Sequence, residues 1–238
     1  MQKLDILVLA AHPDDAELGC GGTIAAHVAL GQQVGIVDFT QGELGTRGTA
    51  PLRAQEAEAS RQVLGVSVRE NLGFADGGLV NDRQHQLEII KMIRRFRPDI
   101  VLANAIHDRH PDHGRGAELA RDACFYSGLR KIETTWQGEQ QTAWRPAQVF
   151  HFIQARSITP SFVVDISPYW ETKMKAIRSF ASQFDSQGEE PQTYLTTPIF
   201  LKFIEARARE LGHSIGVAYG EGFTTDQALG VKRLDQWA

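Results

Sequence analysis

The sequence predicts an α/β protein with a mostly parallel sheet and helices on both of its faces. Short apolar runs, such as Ile6–Ala10 and residues 34–39, are typical of strands that are buried on both sides. Each run leads through a polar or glycine-rich loop into a stretch whose apolar residues have helical spacing. No repeat or linker interrupts this pattern, so we expect a single domain that spans residues 1–238.

The first half of the chain alternates strands with helices. Gly31 is a stop signal for the first helix, and Pro98 is one for the third, because the residue before a proline avoids the helical conformation. This alternation predicts parallel strands joined by helical crossovers. The predicted elements are strand 6–10, helix 16–30, strand 34–39, helix 52–64, a short strand 69–72, helix 87–96, strand 100–103 and helix 117–126.

The second half of the chain has a weaker pattern. Residues 128–146 are polar and poorly periodic, and residues 185–198 form a polar, proline-containing stretch that we interpret as a loop. Between and after these stretches, hydrophobic periodicity returns. It predicts strands at residues 149–153 and 162–166 and helices at residues 170–184 and 199–211.

The net charge, the N-terminal sequence and the cysteine count limit which binding partners and which cellular compartment we expect. A formal net charge of −4 is too mild to indicate a nucleic-acid backbone or an anionic membrane as partner. The first apolar run is broken by Asp5 and is shorter than the core of a signal peptide. Two cysteines are too few for a disulfide framework. We therefore expect a cytoplasmic protein that binds neither nucleic acid nor membrane.

Two clusters of titratable side chains follow buried strands. His12, Asp14 and Asp15 come directly after the first strand, and residues 107–114, HDRHPDHG, follow strand 100–103. The carboxyl ends of neighbouring parallel strands share one edge of a sheet, where open α/β folds bind ligands. A solvated turn with a helix-capping aspartate would explain the first cluster alone. Both clusters together indicate one functional site.

The metal-binding hypothesis rests on His12, Asp15 and His113. Two imidazoles and one carboxylate can hold catalytic zinc and leave a fourth position open for water. The same set binds iron in oxygenases, so the spacing does not separate Zn²⁺ from Fe²⁺. The α/β pattern and the additional carboxylate of Asp14 favour hydrolysis, with Asp14 as the base for the water.

The second cluster offers another imidazole. His110 is available beside the proposed ligands, with Asp112 as the candidate carboxylate to orient it. Other polar residues near the clusters are more simply interpreted as helix caps or solvated charges. These residues are Glu17, Glu43, His107 and Asp108.

Two alternatives of a different class stay open. The glycines of GCGG after a strand, together with Asp38 at the end of the second strand, are compatible with a dinucleotide-binding fold, although the GxGxxG pattern is absent. A sugar-binding module without catalysis is the other alternative. Such a module would bind metal and yet turn over no acetylated amino sugar.

Longer motifs point to one family. AAHPDDAELGCGGTIA and RHPDHG resemble the two signature motifs of the PIG-L/LmbE family of zinc-dependent N-acetylglucosaminide deacetylases, and the similarity extends over nearly the whole chain. TQGELGTRGT with Arg53, ENLGFADG, TYLTTPIF and YGEGF resemble the branch of bacillithiol biosynthesis.

The resemblance implies a Rossmann-like fold and a metal-dependent N-deacetylase, a hydrolase of linear amide bonds. It implies Zn²⁺ as cofactor and N-acetylglucosaminyl-malate as the acetylated amino sugar. Another N-acetylglucosamine conjugate or a chitooligosaccharide is the alternative substrate. Members of this branch commonly form hexamers, so a homo-oligomer is expected.

The resemblance also implies roles for individual residues. By motif position, Asp14 matches the general base, and His110 matches the imidazole that assists the tetrahedral intermediate, with Asp112 beside it. Arg53 matches a substrate-contacting arginine, which would otherwise be interpreted as an exposed helix charge. Tyr194 matches a mobile tyrosine near the reacting carbonyl, which would otherwise be interpreted as a ring packed on the surface. The matching metal ligands are His12, Asp15 and His113.

Overall fold

The computed structural model describes residues 3–185 and 190–233 and confirms the α/β class. None of the helices in these ranges combines the length and the apolar content that crossing a membrane requires. The strands are β1 (Ile6–Ala10), β2 (Val34–Thr40), β3 (Val68–Phe74), β4 (Ile100–Ala103), β5 (Thr135–Trp136), β6 (Glu139–Gln140), β7 (Gln148–Phe152), β8 (Phe162–Asp165) and β9 (Gly220–Thr224). The helices are α1 (Asp15–Ala29), α2 (Ala50–Leu64), α3 (Arg83–Phe96), α4 (Pro111–Ser127), α5 (Trp170–Arg178), α6 (Ala181–Phe184) and α7 (Pro198–Ser214).

Seven of the strands form one sheet in the order β3-β2-β1-β4-β7-β9-β8. Strand β1 pairs in parallel with β2 on one side and with β4 on the other, and β3 and β7 extend the parallel part. Strand β9 runs antiparallel to both β7 and β8. Strands β2 and β3 follow β1 outward on one side of it, whereas β4 and β7 lie on its other side. The order of the strands therefore reverses between β1 and β4. Such a switch point leaves a crevice at the carboxyl ends of β1 and β4.

Side chains of the fully buried strand β1 alternate between two apolar layers. Leu9 packs in one layer with Ile89 of α3 and Leu119 of α4. Val8 lies in the opposite layer with Ile24 of α1. Helices therefore cover both faces of the sheet, as the continuous apolar run of β1 predicts.

Helix α1 is interrupted at Cys20, whose φ of −142° and ψ of 21° are not helical. Beyond the break, the backbone amides of Gly22 and Thr23 donate to the carboxylate of Glu221 in β9, at 3.0 and 2.7 Å. The Nζ of Lys173 in α5 lies 2.5 Å from the same carboxylate. Glu221 thus supplies acceptors for amides near the break.

The second half departs from the sequence prediction in three places. The short antiparallel pair of β5 and β6 lies in residues 128–146, for which no element was predicted. Strand β9 was not predicted, because its two glycines are weak strand formers and the strand is stabilised by its neighbours. The helix predicted at residues 170–184 is broken into α5 and α6, since the buried Phe180 leaves the helical conformation. Of the loop predicted at residues 185–198, residues 190–197 contain no helix or strand, and residues 186–189 lie outside the described residues.

The packing of α1 leaves no room for a side chain at Gly22, where an added Cβ would lie 2.7 Å from the Cβ of Ile166. We expect Gly22→Ala to lower the free energy of unfolding by about 1–3 kcal/mol, the usual cost of overpacking. Gly21→Ala is the matched control, because its Cβ would lie 3.4 Å from the Cγ of Lys173. Urea unfolding followed by circular dichroism measures both variants. Equal stabilities would contradict this description of the packing.

Candidate active site

The two predicted clusters meet at the crevice between β1 and β4. His12, Asp14 and Asp15 follow β1, whereas His110 and His113 lie at the start of α4, after β4. The ring centroid of His12 lies 4.7 Å from that of His110 and 5.5 Å from that of His113. All five side chains line one cavity of about 250 Å³. The topology of the sheet thus brings together residues that are about a hundred positions apart in the chain.

Asp15 joins two of these histidines. Its carboxylate oxygens lie 3.1 Å from Nε2 of His113 and 3.4 Å from Nδ1 of His12. The side-chain amides of Asn104 and Gln154 donate to the same carboxylate at 3.0 and 2.8 Å. Burial would raise the pKa of Asp15, but His113 and His12 hold this pKa well below its ordinary value. Asp15 is therefore an ionised group that is fixed in place between the rings.

His113 is oriented by a carboxylate that the sequence analysis missed. Its Nδ1 lies 2.5 Å from the carboxylate of Asp108, whose side chain is fully buried. Burial would lower the pKa of His113, but Asp15 and Asp108 raise this pKa to about 9. The interpretation of Asp108 as a cap or a solvated charge is wrong. Its contact with Nδ1 leaves Nε2 of His113 facing Asp15 and available to bind a metal.

The donor set fits a divalent metal ion. Imidazole nitrogens and carboxylate oxygens together suit zinc and its neighbours among the transition metals. Burial would lower the pKa of His12, but three surrounding carboxylates raise it well above its ordinary value. A metal ion would balance those carboxylates in place of the proton. Two groups among the described residues have ligand atoms within 4.8 Å of one another: His12, His110 and His113, and His12, Asp76 and Asp112.

Asp14 stands at the N-cap position of α1 without capping the helix. Its side chain makes no capping hydrogen bond, and its φ of 113° is unusual for a residue other than glycine. The carboxylate lies 3.1 Å from Nη2 of Arg53. Burial, offset in part by Arg53, raises the pKa of Asp14 to about 7. A carboxylate with such a pKa is well suited to accept a proton near neutral pH.

Arg53 is buried, so it is not an exposed helix charge. Its Nη1 donates to the carbonyl of Gly42 at 3.1 Å, and its Nη2 donates to the carbonyl of Pro13 as well as to Asp14. Gly42 has a φ of 67°, and a Cβ at this position would overlap the guanidinium. Both conditions require glycine at this point of the loop. Arg53 thereby reaches the cavity wall and holds Asp14 there.

His110 receives its orienting contact from a backbone group. Its Nδ1 accepts from the amide of Asp112 at 3.2 Å, so a neutral His110 carries its proton on Nε2. Burial and the other two histidines lower the pKa of His110. The carboxylate of Asp112, expected to orient His110, instead accepts from the Gly77 amide at 2.8 Å and lies 3.6 Å from Nε2 of His12. The reason is geometric, because side chains two residues apart in a helix do not face each other.

Tyr194 lies beside the cavity and is not one of the described residues that line it. Its side chain is 48% exposed, and its ring meets that of Phe200 edge-on with centroids 5.4 Å apart. The guanidinium of Arg109, which does line the cavity, lies 5.2 Å from the centroid of the Tyr194 ring. A role of Tyr194 near the reacting carbonyl stays a prediction.

The residues that were compatible with a dinucleotide-binding fold make structural contacts instead. The carboxylate of Asp38 lies 2.7 Å from Nε of Arg69, which also contacts the buried Glu17 at 2.6 Å. The GCGG segment lies inside α1, where Gly22 packs against Ile166. The GCGG glycines therefore allow close helix packing and do not form a loop after the strand.

Comparisons with known proteins agree with the geometry. Residues 7–124 match the model of a family described as PIG-L: GlcNAc-PI de-N-acetylase. The diacetylchitobiose deacetylase of Thermococcus kodakarensis is 30% identical over 231 residues, which cover 91% of this chain and 81% of that protein. The chain belongs to the PIG-L family of de-N-acetylases.

Solved structures support the same class. The conserved protein TT1542 from Thermus thermophilus is 36% identical, with a TM-score of 0.86 over 96% of this chain and 98% of that one. The N,N'-diacetylchitobiose deacetylase from Pyrococcus horikoshii is 29% identical, with a TM-score of 0.79 over 92% of this chain and 82% of that one. The predicted fold is confirmed, and so is the prediction that the protein is an N-deacetylase.

The contact between Asp108 and His113 leads to a prediction about metal affinity. We expect Asp108→Ala to weaken binding of a divalent metal about 10–100-fold, because the ring of His113 loses the acceptor that orients it. Asp108→Asn keeps an acceptor oxygen and should therefore lose less of the metal affinity than Asp108→Ala does. Glu118→Ala, which removes an exposed carboxylate from α4, is the control. Titration calorimetry with Zn²⁺ measures all three, and unchanged affinity in Asp108→Ala would contradict the assignment.

Proposed function

We propose that the protein is a zinc-dependent hydrolase that removes the acetyl group from an N-acetylglucosaminyl conjugate, with N-acetylglucosaminyl-malate as its substrate. One observation carries this proposal. A cavity holds both a set of histidines around Asp15 and a second carboxylate, Asp14, whose pKa is raised to about 7. Hydrolysis of an amide needs both of these features, namely an electrophilic ion and a base.

His12, Asp15 and His113 would hold the metal. Asn104 and Gln154 fix the carboxylate of Asp15, and Asp108 fixes the ring of His113. When bound, Zn²⁺ polarises the acetyl carbonyl and lowers the pKa of a water molecule. We place the metal between His12 and Asp15, and not between His12 and the carboxylates of Asp76 and Asp112. The reason is that Asp15 contacts two histidines at once.

Asp14 accepts the proton of the attacking water. Its partner Arg53 keeps the carboxylate in place, and its burial keeps the basicity high. His110 donates from Nε2 to the acetyl oxygen as negative charge develops on it. Asp14, which is protonated after the attack, then delivers this proton to the leaving amine. The products are acetate and a free amino sugar.

The lining of the cavity suits a sugar that carries a charged group. One wall is apolar and includes Leu18, Phe200 and Phe203, and arginines reach other parts of the lining. Guanidinium groups bind carboxylates well, which favours malate over a neutral sugar as the aglycone. A chitooligosaccharide is the second candidate, because two similar proteins are named as diacetylchitobiose deacetylases.

The proposal extends to the domain organisation, the cellular location and the oligomeric state of the protein. We propose a single domain over residues 1–238, since two apolar layers share strand β1. We also propose a cytoplasmic location and a homo-oligomer, with a hexamer implied by the resemblance to the bacillithiol branch. Light scattering coupled to size-exclusion chromatography measures the oligomeric state.

Metal dependence and substrate preference can be tested in one assay of acetate release. The chelated protein should release no acetate, and Zn²⁺ should restore the activity, because the ion supplies the electrophile. The zinc-loaded protein should show a higher kcat/KM on N-acetylglucosaminyl-malate than on N-acetylglucosamine or diacetylchitobiose. Full activity of verified metal-free protein would exclude the metal. Preference for diacetylchitobiose would identify the second candidate, and metal binding without any turnover would favour the sugar-binding alternative.

Substitutions of the two adjacent aspartates separate their roles. Asp14→Asn should keep zinc and lose about 10²–10⁴-fold in kcat, the usual contribution of a general base, because asparagine does not accept a proton at neutral pH. Asp15→Ala should lose zinc affinity as well as turnover. Metal content by atomic absorption and kcat are measured on the same samples. An Asp14→Asn protein that loses its zinc, or that keeps a normal kcat, would contradict the assignment of Asp14 as the base.

A further inference from the structure

We propose that Arg109 forms an anion-binding subsite of the active site and recognises a carboxylate on the aglycone of the substrate. This inference rests on the proposed function, because it assigns a place in the cavity to the charged end of the conjugate. It concerns a residue that has no assigned role in the motif resemblance and takes no part in the proposed chemical steps. Four observations support it: the position of Arg109 in the cavity, its donors, which are unpaired in the part of the chain that the structure describes, its contact with the ring of Tyr194, and the charge of the surrounding residues.

The first observation is position. Arg109 lines the cavity and directly precedes His110, whose ring lies 4.7 Å from that of His12. In an N-acetylglucosaminyl conjugate, the aglycone is attached to the ring carbon next to the one that carries the acetamide. An acetyl group held at the histidines therefore places the aglycone close to the reacting carbonyl. The long side chain of the residue before His110 can reach that region.

The second observation is that Arg109 differs from the other arginines of the lining. Arg53 donates to Asp14 and to two backbone carbonyls. Arg207 donates to the carbonyl of Gln154 and, at 2.8 Å, to that of Leu18. Arg109 is exposed, and no carboxylate in residues 3–185 or 190–233 forms an ion pair with it. Its donors are thus available to a ligand.

The third observation is the stacking of Arg109 on Tyr194. The guanidinium carbon lies 5.2 Å from the centroid of the ring, a distance typical of a cation–π contact. Stacking orders a flexible side chain and leaves the edge of the guanidinium free to bind a carboxylate through two hydrogen bonds. Tyr194 in turn contacts Phe200, which lines the cavity. The ring of Tyr194 is therefore a platform for Arg109.

The fourth observation is the charge of the surroundings. Four carboxylates also line the cavity, but each already has a cationic or imidazole partner in the ligand cluster or in Arg53. They therefore leave the charge of Arg109 available to an anionic group of the substrate. The pairs are Asp14 with Arg53, Asp15 with His12 and His113, Asp76 with His12, and Asp108 with His113.

The test compares a charged with a neutral substrate in the zinc-loaded, full-length protein. The quantity measured is the ratio of kcat/KM on N-acetylglucosaminyl-malate to kcat/KM on methyl N-acetylglucosaminide. Arg109→Gln should lower this ratio about tenfold, mainly through a higher KM for the malate conjugate, because a charge-assisted contact is lost at a partly exposed site. Arg130→Gln removes the same charge beyond the far end of α4 and should leave the ratio unchanged.

The substitutions of Tyr194 test the platform. Tyr194→Phe keeps the ring and should keep the ratio, whereas Tyr194→Ala removes the ring and should lower it. A hydroxyl that assists the acetyl oxygen would lower kcat on both substrates in Tyr194→Phe and would not change the ratio. Zinc content and thermal melting of each variant verify that the fold is intact. A fall of the ratio in Tyr194→Phe would overturn the platform.

The outcomes also separate this inference from the proposed function. A wild-type protein without preference for the malate conjugate would contradict both the proposed substrate and the subsite. A wild-type preference that survives in Arg109→Gln would contradict the subsite alone. An equal fall of the ratio in Arg130→Gln would assign the effect to net charge and would overturn the role of Arg109.

Discussion

The site depends on the contact between the carboxylate of Asp15 and two histidine rings. A carboxylate that is only 2% exposed is costly to bury unless its charge is balanced and its oxygens accept hydrogen bonds. Asn104 follows β4 and Gln154 follows β7, and both donate to Asp15, which follows β1. The segments that follow three neighbouring strands thus direct polar side chains to one point. The order of the strands in the sheet brings these residues together, and the negative charge of the carboxylates in the cluster favours the binding of a cation.

Adjacent aspartates have opposite properties because their neighbours differ. Imidazoles surround Asp15 and lower its pKa, whereas burial dominates at Asp14 and raises its pKa to about 7 in spite of Arg53. A pair of carboxylates whose pKa values are moved apart is typical of sites that use one group to bind and the other to transfer a proton. Asp14 has a left-handed φ and makes no capping hydrogen bond to the helix that it precedes, and such strain is concentrated at functional sites.

Much of the site could be predicted because it lies in short motifs at the ends of buried strands. The HPDD and HPDH segments supplied the histidines and Asp15, and the parallel pattern placed them at one edge. Contacts that follow no regular spacing gave no such signal. Asp108 was misinterpreted, although it is only five residues from His113, because the conformation of the loop before α4 brings its carboxylate against the ring. Strand β9 was missed because glycines carry no strand propensity, although the strand holds Glu221 against the break in α1.

The most direct test of the central claim is an anomalous difference map from zinc-soaked crystals, with data collected on both sides of the zinc absorption edge. His12 belongs both to the proposed set with Asp15 and His113 and to the group with Asp76 and Asp112, so the position of the ion decides between them. The account predicts one peak at about 2.0–2.2 Å from ligand atoms of His12, Asp15 and His113. A peak held between His12, Asp76 and Asp112, with Asp15 outside ligand distance, would contradict it.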